Sequence, residues 1–333
     1  MNDTLKKIKR KLWSKLISYT RDKSYHFLIY RSYWRSLFAK DKDAEGEVVQ
    51  YFAATPNPGA GIGHQIANWV AGYWFAKQFK LEFAHIPFST SKWESFLGFG
   101  EKEFQLTDLY EKGYSKIRIP LFDEDKLEEL DKIKRIINAY SGEKVAFVCG
   151  EDQGYHNQYG IMDEIQEKFY NAPARKGNDI QYDEDKFNIA VHVRRTVIIE
   201  DKVIEEDDEA KAKRWLNNDY YEEVLRQVLE NIKVNKPIKI WLFSTGKPEA
   251  FAEFERYGDV RFCSDMDEYQ SFAHLVFADL LITSKSSFSY KPALMNRGIK
   301  LCPRNFWHGY PNSKDWILCE NDGTFDISKL KNI

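Results

Sequence analysis

The chain has 333 residues, enough for about two domains of ordinary size, and its 43% hydrophobic and 30% charged residues are the balance of a globular protein. A net charge of -2 excludes a generic basic nucleic-acid binder, and no apolar run approaches the roughly 20 residues that a membrane-spanning helix needs. Cys149, Cys263, Cys302 and Cys319 are scattered without a C-x-x-C or Cys/His cluster, which excludes a zinc motif or a disulfide framework and fits reduced thiols.

In chain order, residues 1–45 read as a basic helical arm. Residues 1–40 carry eleven Lys/Arg against two Asp, and the remainder carries 38 against 49 Asp/Glu. Leu5, Ile8, Leu12, Trp13 and Leu16 fall near one helical face with lysines around it. That pattern suits either a helix lying on an anionic membrane surface or a solvated basic helix packed on the acidic body. No signal-peptide core is present, so a cytoplasmic protein is expected, with residues 1–35 as a peripheral membrane contact.

Val48–Ala53 reads as a strand, followed by a Gly/Pro-rich loop and a helix over Gln65–Phe79. Leu81–Ile86, Ile117–Leu121 and Val145–Cys149 read as further strands, with a helix over Glu124–Ala139. Composition turns polar over Met162–Tyr182, which suggests a domain boundary near 180 and domains of 46–180 and 181–333. The second half restarts with a buried strand, Phe187–Val193, and a charged excursion, Thr196–Arg214. Strands at Ile238–Phe243, Val260–Cys263, Leu280–Thr283 and Lys300–Pro303 then alternate with helices at Asp219–Ile232, Pro248–Tyr257, Glu268–Phe277 and Tyr290–Asn296. This is the βα alternation of an α/β protein.

Three places carry candidate chemistry. His192, Arg194 and Arg195 stand at the C-terminal end of a buried strand, the rim where open α/β sheets bind ligands. A guanidinium fork there matches paired phosphate oxygens, although an arginine pair beside a core histidine is the plainer account. Gly59, Gly61 and Gly63 lie between a strand and a helix, so bare amides either hold an anion or make a tight turn; the spacing is not the dinucleotide fingerprint. His64 and Gln65 follow, placed to cap the helix or touch substrate. Ser286 and Ser287 begin the helix after Leu280–Thr283, where hydroxyls either bind phosphate or act as ordinary N-caps. The acidic run Glu200–Glu209 is a solvated loop or a lid over the arginine pair.

The order of these motifs resembles that of the metal-independent fucosyltransferases with an H-x-R-R motif, comprising the α1,2- and α1,6-enzymes and the protein O-fucosyltransferases. Gly61-Ile62-Gly63-His64-Gln65 is similar to the G-x-G-N-Q start of the α1,2 enzymes. His192-Val193-Arg194-Arg195-Thr196 is similar to the H-V-R-R-T of the α1,6 enzymes. Ala278–Ile282 followed by Ser286-Ser287-Phe288-Ser289 looks like the late strand and serine turn, and Asp265 falls where a Ser-Asp often precedes it. The resemblance spans residues 47–310, mostly as motif order.

It implies a GT-B-like fold, two Rossmann-like domains facing each other across a cleft, with 46–180 on the acceptor side and 181–333 on the donor side. It also implies GDP-fucose as donor, inversion, and neither metal nor other cofactor. Carried over residue by residue, Arg194 binds the β-phosphate, His192 supports the site and Arg195 orients the strand end. Gly61, Gly63, Ser286, Ser287 and Phe288 line the donor, and Asp265 touches guanine or ribose. Two departures stand out. Val197 occupies a position that is usually Asp, with Asp201-Lys202-Val203 following four residues later, and Ser244-Thr245-Gly246 replaces a paired acidic motif. Candidates for the general base are therefore Glu200, Asp201 and His64. The expected activity is fucose transfer to a glycan or lipid-linked glycan in polysaccharide biosynthesis. The same fold with another nucleotide sugar, a silent sugar- or nucleotide-binding module, and a membrane-peripheral scaffold stay open.

Overall fold

The computed structural model describes residues 3–39, 48–57, 59–150, 155–177, 180–195, 197–199, 202–204 and 214–331. Helices α1 (Asp3–Thr20) and α2 (Arg31–Phe38) precede the first strand. Trp13 meets Tyr30 edge-on with ring centroids 5.5 Å apart, and Thr20 Oγ1 bonds His26 Nδ1 at 3.0 Å, so α1 is pinned to the short 3₁₀ turn His26–Ile29. Ser32 of α2 donates to the Arg118 carbonyl at 2.6 Å, and Arg35 pairs with Glu143. Then follow β1 (Tyr51–Ala54), α3 (Ile62–Gln78), β2 (Glu82–His85), α4 (Ser91–Leu97), β3 (Phe104–Gln105), α5 (Leu106–Glu111), β4 (Ser115–Arg118), α6 (Leu127–Asn138), β5 (Val145–Cys149) and α7 (Met162–Asn171).

The second half begins with β6 (Phe187–Val193) and a hairpin of β7 (Val197–Ile199) with β8 (Lys202–Ile204). It continues through α8 (Asn218–Asn231), β9 (Ile238–Ser244), β10 (Val260–Phe262), α9 (Glu268–Phe277), β11 (Leu280–Ile282), α10 (Ser287–Met295), β12 (Ile299–Pro303), β13 (Trp316–Cys319) and α11 (Ser328–Lys331).

The chain divides into two compact units, 1–57, 68–86 and 102–155 against 58–67, 87–101 and 156–333. The composition shift had suggested a boundary near 180, but the second unit runs on from His156 and takes in two earlier segments, which hold the first turns of α3 and all of α4. The stretch expected to be a polar connector holds α7, whose Ile165 and Phe169 are buried. In the first unit an all-parallel sheet is ordered β3-β2-β1-β5-β4. Its central strands β1 and β5 are buried along their whole length, as a parallel sheet covered on both faces requires. Gly72 lets α3 close onto β1, since a Cβ there would stand 2.7 Å from that of Ala54.

In the second unit the parallel sheet runs β10-β9-β6-β11-β12-β13, with Ile189, Val191, Leu242, Ile282 and Leu301 in its core. Two units, each built on a parallel sheet, give the α/β class that the sequence suggested. Pro248–Tyr257 forms 3₁₀ turns kinked at Phe251 instead of the expected helix, because Phe251 leaves helical geometry to bury its ring. All four cysteines are free and buried. Among the described residues no helix is long and apolar enough to cross a membrane.

Candidate active site

The second sheet changes direction at one place. From β6 the chain steps outward to β9 and β10, then returns to lay β11, β12 and β13 on the other side of β6. The crevice beyond the C-terminal ends of β6 and β11 is the topological switch point, where sheets of this kind accept ligands. His192 and Arg194 come from β6 and the residue after it, and Ser284, Ser286 and Ser287 follow β11.

His192 is buried, and its Nδ1 lies 2.8 Å from Ser284 Oγ with its ring 5.6 Å from that of Phe288. Burial, reinforced by the charge on Arg194, pushes its pKa down to about 3. A neutral imidazole of that kind is no proton acceptor near pH 7; it holds the serine turn. Ser284 N donates to Ser289 Oγ at 3.2 Å, and Ser286 Oγ caps α10 by accepting from Phe288 N at 3.2 Å.

The two adjacent arginines differ. Arg194 is half-buried and donates to Ser286 Oγ at 3.4 Å, so its guanidinium stands at the N-terminus of α10. Two sources of positive potential meet there, the cation and the helix end. Arg195 donates instead to the carbonyls of Arg194 and Leu216, at 2.9 and 3.0 Å, and to Asn218 Oδ1. Its guanidinium also lies 5.4 Å from the Phe251 ring centroid, and burial lowers its pKa. Arg195 is a brace between β6 and the start of α8.

The glycine loop reaches the same rim. A Cβ on Gly63 would stand 2.8 Å from both Cβ and the carbonyl carbon of Ser287, so only glycine lets the first turn of α3 touch the serine turn. Among the described residues nothing lies within 4 Å of a Cβ built on Gly61. His64 is half-buried directly after this contact. The Gln65 side-chain amide donates to the Ala60 carbonyl at 2.9 Å and accepts from the Ser89 backbone N–H at 2.9 Å. A cavity of about 550 Å³ opens beside the rim, lined by Trp215, Asn217, Asp219, Lys285 and Asp322.

Asp265 is exposed and accepts from Arg261 Nη2 at 2.8 Å. Val197 pairs with Ile204 in the β7–β8 hairpin, so the charged excursion contains ordered strand and is not wholly a solvated loop. Glu200, Asp201 and the acidic run 205–209 lie outside the described residues. In the replaced acidic motif, Gly246 N donates to Ser244 Oγ at 3.1 Å. Among the described residues no three His, Cys, Asp or Glu side chains gather as metal ligands.

Sequence reasoning missed a buried polar group under this rim. Lys291, fully buried in α10, donates to Gln158 Oε1, and burial holds its pKa well below the usual value. His308 stacks on Tyr290 at 4.6 Å, and neither ring nitrogen has a hydrogen-bond partner among the described residues. Burial, then the neighbouring Lys291, keeps it neutral. A lysine inside the apolar run of α10 was the available signal.

No protein-family model matches the chain, and no curated protein matches it. Solved structures similar to it include POFUT1 in its apo form, at 14% identity over 77% of this chain and 96% of that one, TM-score 0.45. NodZ alpha-1,6-fucosyltransferase co-crystallized with GDP is 13% identical over 85% of this chain and 98% of its own, TM-score 0.44. Fucosyltransferase NodZ from Bradyrhizobium is 11% identical over 76% and 94%, TM-score 0.42. The chain is similar to fucosyltransferase structures.

Proposed function

We propose that the chain is an inverting, metal-independent glycosyltransferase that moves fucose from GDP-fucose to a glycan or lipid-linked glycan. The observation that carries this reading is Arg194 beside the capped N-terminus of α10 at the switch point of the second sheet. In the reaction an acceptor hydroxyl oxygen attacks C1 of fucose, and the bond from C1 to the β-phosphate oxygen breaks. Its electron pair leaves with GDP, and the hydroxyl proton passes to a base. Arg194 and the N–H groups of α10 stabilise the charge that GDP acquires, a task otherwise left to a metal ion.

His192 and Arg195 act through others: the first holds Ser284, the second fixes the end of β6. His64, next to the Gly63–Ser287 contact, is the candidate base among the described residues, with Glu200 and Asp201 as the carboxylate alternatives. The second unit holds the donor and the first serves the acceptor, in the cytoplasm. GDP-fucose, rather than another nucleotide sugar, rests on the H-V-R-R-T and serine-turn resemblance.

Purified protein incubated with GDP-fucose should release GDP. A panel of GDP-, UDP- and dTDP-sugars should raise the melting temperature only with the true donor. Release by wild type and by Arg194→Ala at equal rates removes this site from the reaction. Val197, in place of the usual Asp, favours a second reading, a silent nucleotide-sugar-binding module. Donor-induced stabilisation without GDP release would establish that one instead.

A further inference from the structure

We propose that α1 and α2 dock the protein on a lipid surface carrying anionic headgroups. The inference is independent of the transfer reaction and stands on exposure and charge. Leu5, Ile8, Leu12, Leu16 and Tyr19 recur every three or four residues, which at about 100° per residue gathers them into one stripe of α1. All five are exposed, Leu12 at 63% and Tyr19 at 70%.

The stripe is not the face by which α1 is anchored. That face carries Trp13, Ile17 and Thr20, with Trp13 against Tyr30, the Arg118 guanidinium 5.3 Å from its ring, and Thr20 on His26. The helix therefore has its protein contacts already and turns a separate apolar face outward. Sequence alone left a second account open, a basic helix packed on its own acidic body. Lys9, Lys11 and Lys15 are exposed and make no hydrogen bond or ion pair among the described residues.

A second patch of the same character lies on α2. Trp34, Leu37 and Phe38 stand at i, i+3 and i+4, all exposed, Phe38 at 78%. The Trp34 indole donates to the Leu28 carbonyl at 2.7 Å, which fixes the ring while it stays outside the core. Leucines, tryptophan and phenylalanine beside exposed lysines are what an interfacial helix offers to acyl chains and acidic headgroups. Self-pairing of two copies fits poorly, because Asp3 is the one acidic residue of α1 and lysine would face lysine.

The test is co-sedimentation of the full chain with vesicles of phosphatidylcholine, with and without phosphatidylglycerol. Wild type should bind the mixed vesicles at least about tenfold better than pure phosphatidylcholine, and lose that binding as salt is raised. Leu12→Glu/Leu16→Glu should weaken binding at least about tenfold, and so should Lys9→Gln/Lys11→Gln/Lys15→Gln. Both variants should melt as wild type and release GDP at the wild-type rate, which separates this proposal from the catalytic one. The proposal is overturned if wild type does not pellet with the mixed vesicles, or if both variants pellet as wild type. A concentration-dependent dimer abolished by the leucine variant would assign the stripe to a second copy instead.

Discussion

At the rim of the second sheet, polar groups are taken out of water; in the N-terminal arm of the first unit, apolar groups are left in it. His192, Ser284, Ser286 and Ser289 are all buried, and each has a hydrogen-bond partner within the turn. Burying such groups costs about 1–3 kcal/mol each when unpaired, so the turn holds its shape because its bonds are made internally. Among the described residues the leucines of α1 have no comparable offset. Departures from the usual distribution of polar and apolar residues thus take two forms. One is complete within the protein and fixes geometry; the other leaves apolar side chains exposed.

The largest effect tests the rim. Arg194→Ala should cut GDP release from GDP-fucose by about 10²–10³, the usual loss when one preorganised donor to a developing charge is removed. Melting temperature should change little. Arg195→Ala should do the reverse at the level of the fold, destabilising by about 1–3 kcal/mol in denaturant titration, because the Leu216 carbonyl and Asn218 lose their donor. If the two variants behave alike, the division of labour between neighbouring arginines is wrong.

The glycine loop sharpens the same contrast at somewhat smaller scale. Gly63→Ala places a methyl 2.8 Å from the Ser287 backbone and should cost about 1–3 kcal/mol while weakening donor-induced stabilisation. Gly61→Ala meets nothing within 4 Å among the described residues and should leave both nearly unchanged. Equal effects at the two positions would mean that the contact with the serine turn is not what Gly63 is for.

How far the sequence led depends on which contacts define each element. Phe187–Val193, Val145–Cys149 and Glu268–Phe277 were readable to the residue, since each is a continuous apolar run or a capped amphipathic one. The start of α10 was legible in part. Ser286 or Ser287 was expected as an N-cap, and Ser286 is one, but the helix opens at Ser287 and not at Tyr290, so the hydroxyl turn is part of the helix end. Nor did β13 announce itself, because Trp316–Cys319 is a strand only through its pairing with β12. Arg194 and the serine turn were legible as separate motifs, whereas the Gly63–Ser287 contact and the Lys291–Gln158 bond join residues more than 130 positions apart. No periodicity records such pairs.

The neutral histidine at the rim makes a pH prediction. Below pH 6.5 the unfolded chain binds a proton at His192 that the folded chain refuses until about pH 3. The unfolded state therefore holds more protons in that window, and stability falls as pH drops, by up to about 1.4 kcal/mol per pH unit. His192→Asn should lower the slope by one proton between pH 6 and 4, measured as unfolding free energy at a series of pH values. An unchanged slope would mean that His192 is protonated in the folded state, which its bond to Ser284 and its burial argue against.

Asp265 gives the smallest and most discriminating effect. Its carboxylate is exposed and paired with Arg261, an arrangement worth about 0–1 kcal/mol to the fold. Asp265→Asn should therefore leave the melting temperature of the free protein within error. If Asp265 also contacts the guanine or ribose, the same change should weaken GDP-fucose-induced stabilisation about two- to tenfold, the worth of one hydrogen bond. Arg261→Gln is the control: it breaks the same ion pair but frees the carboxylate, so donor stabilisation should hold or rise. Loss in the aspartate variant alone identifies a ligand contact. Equal loss in both leaves Asp265 as the partner of a structural arginine and moves the nucleotide site back toward Arg194 and the serine turn.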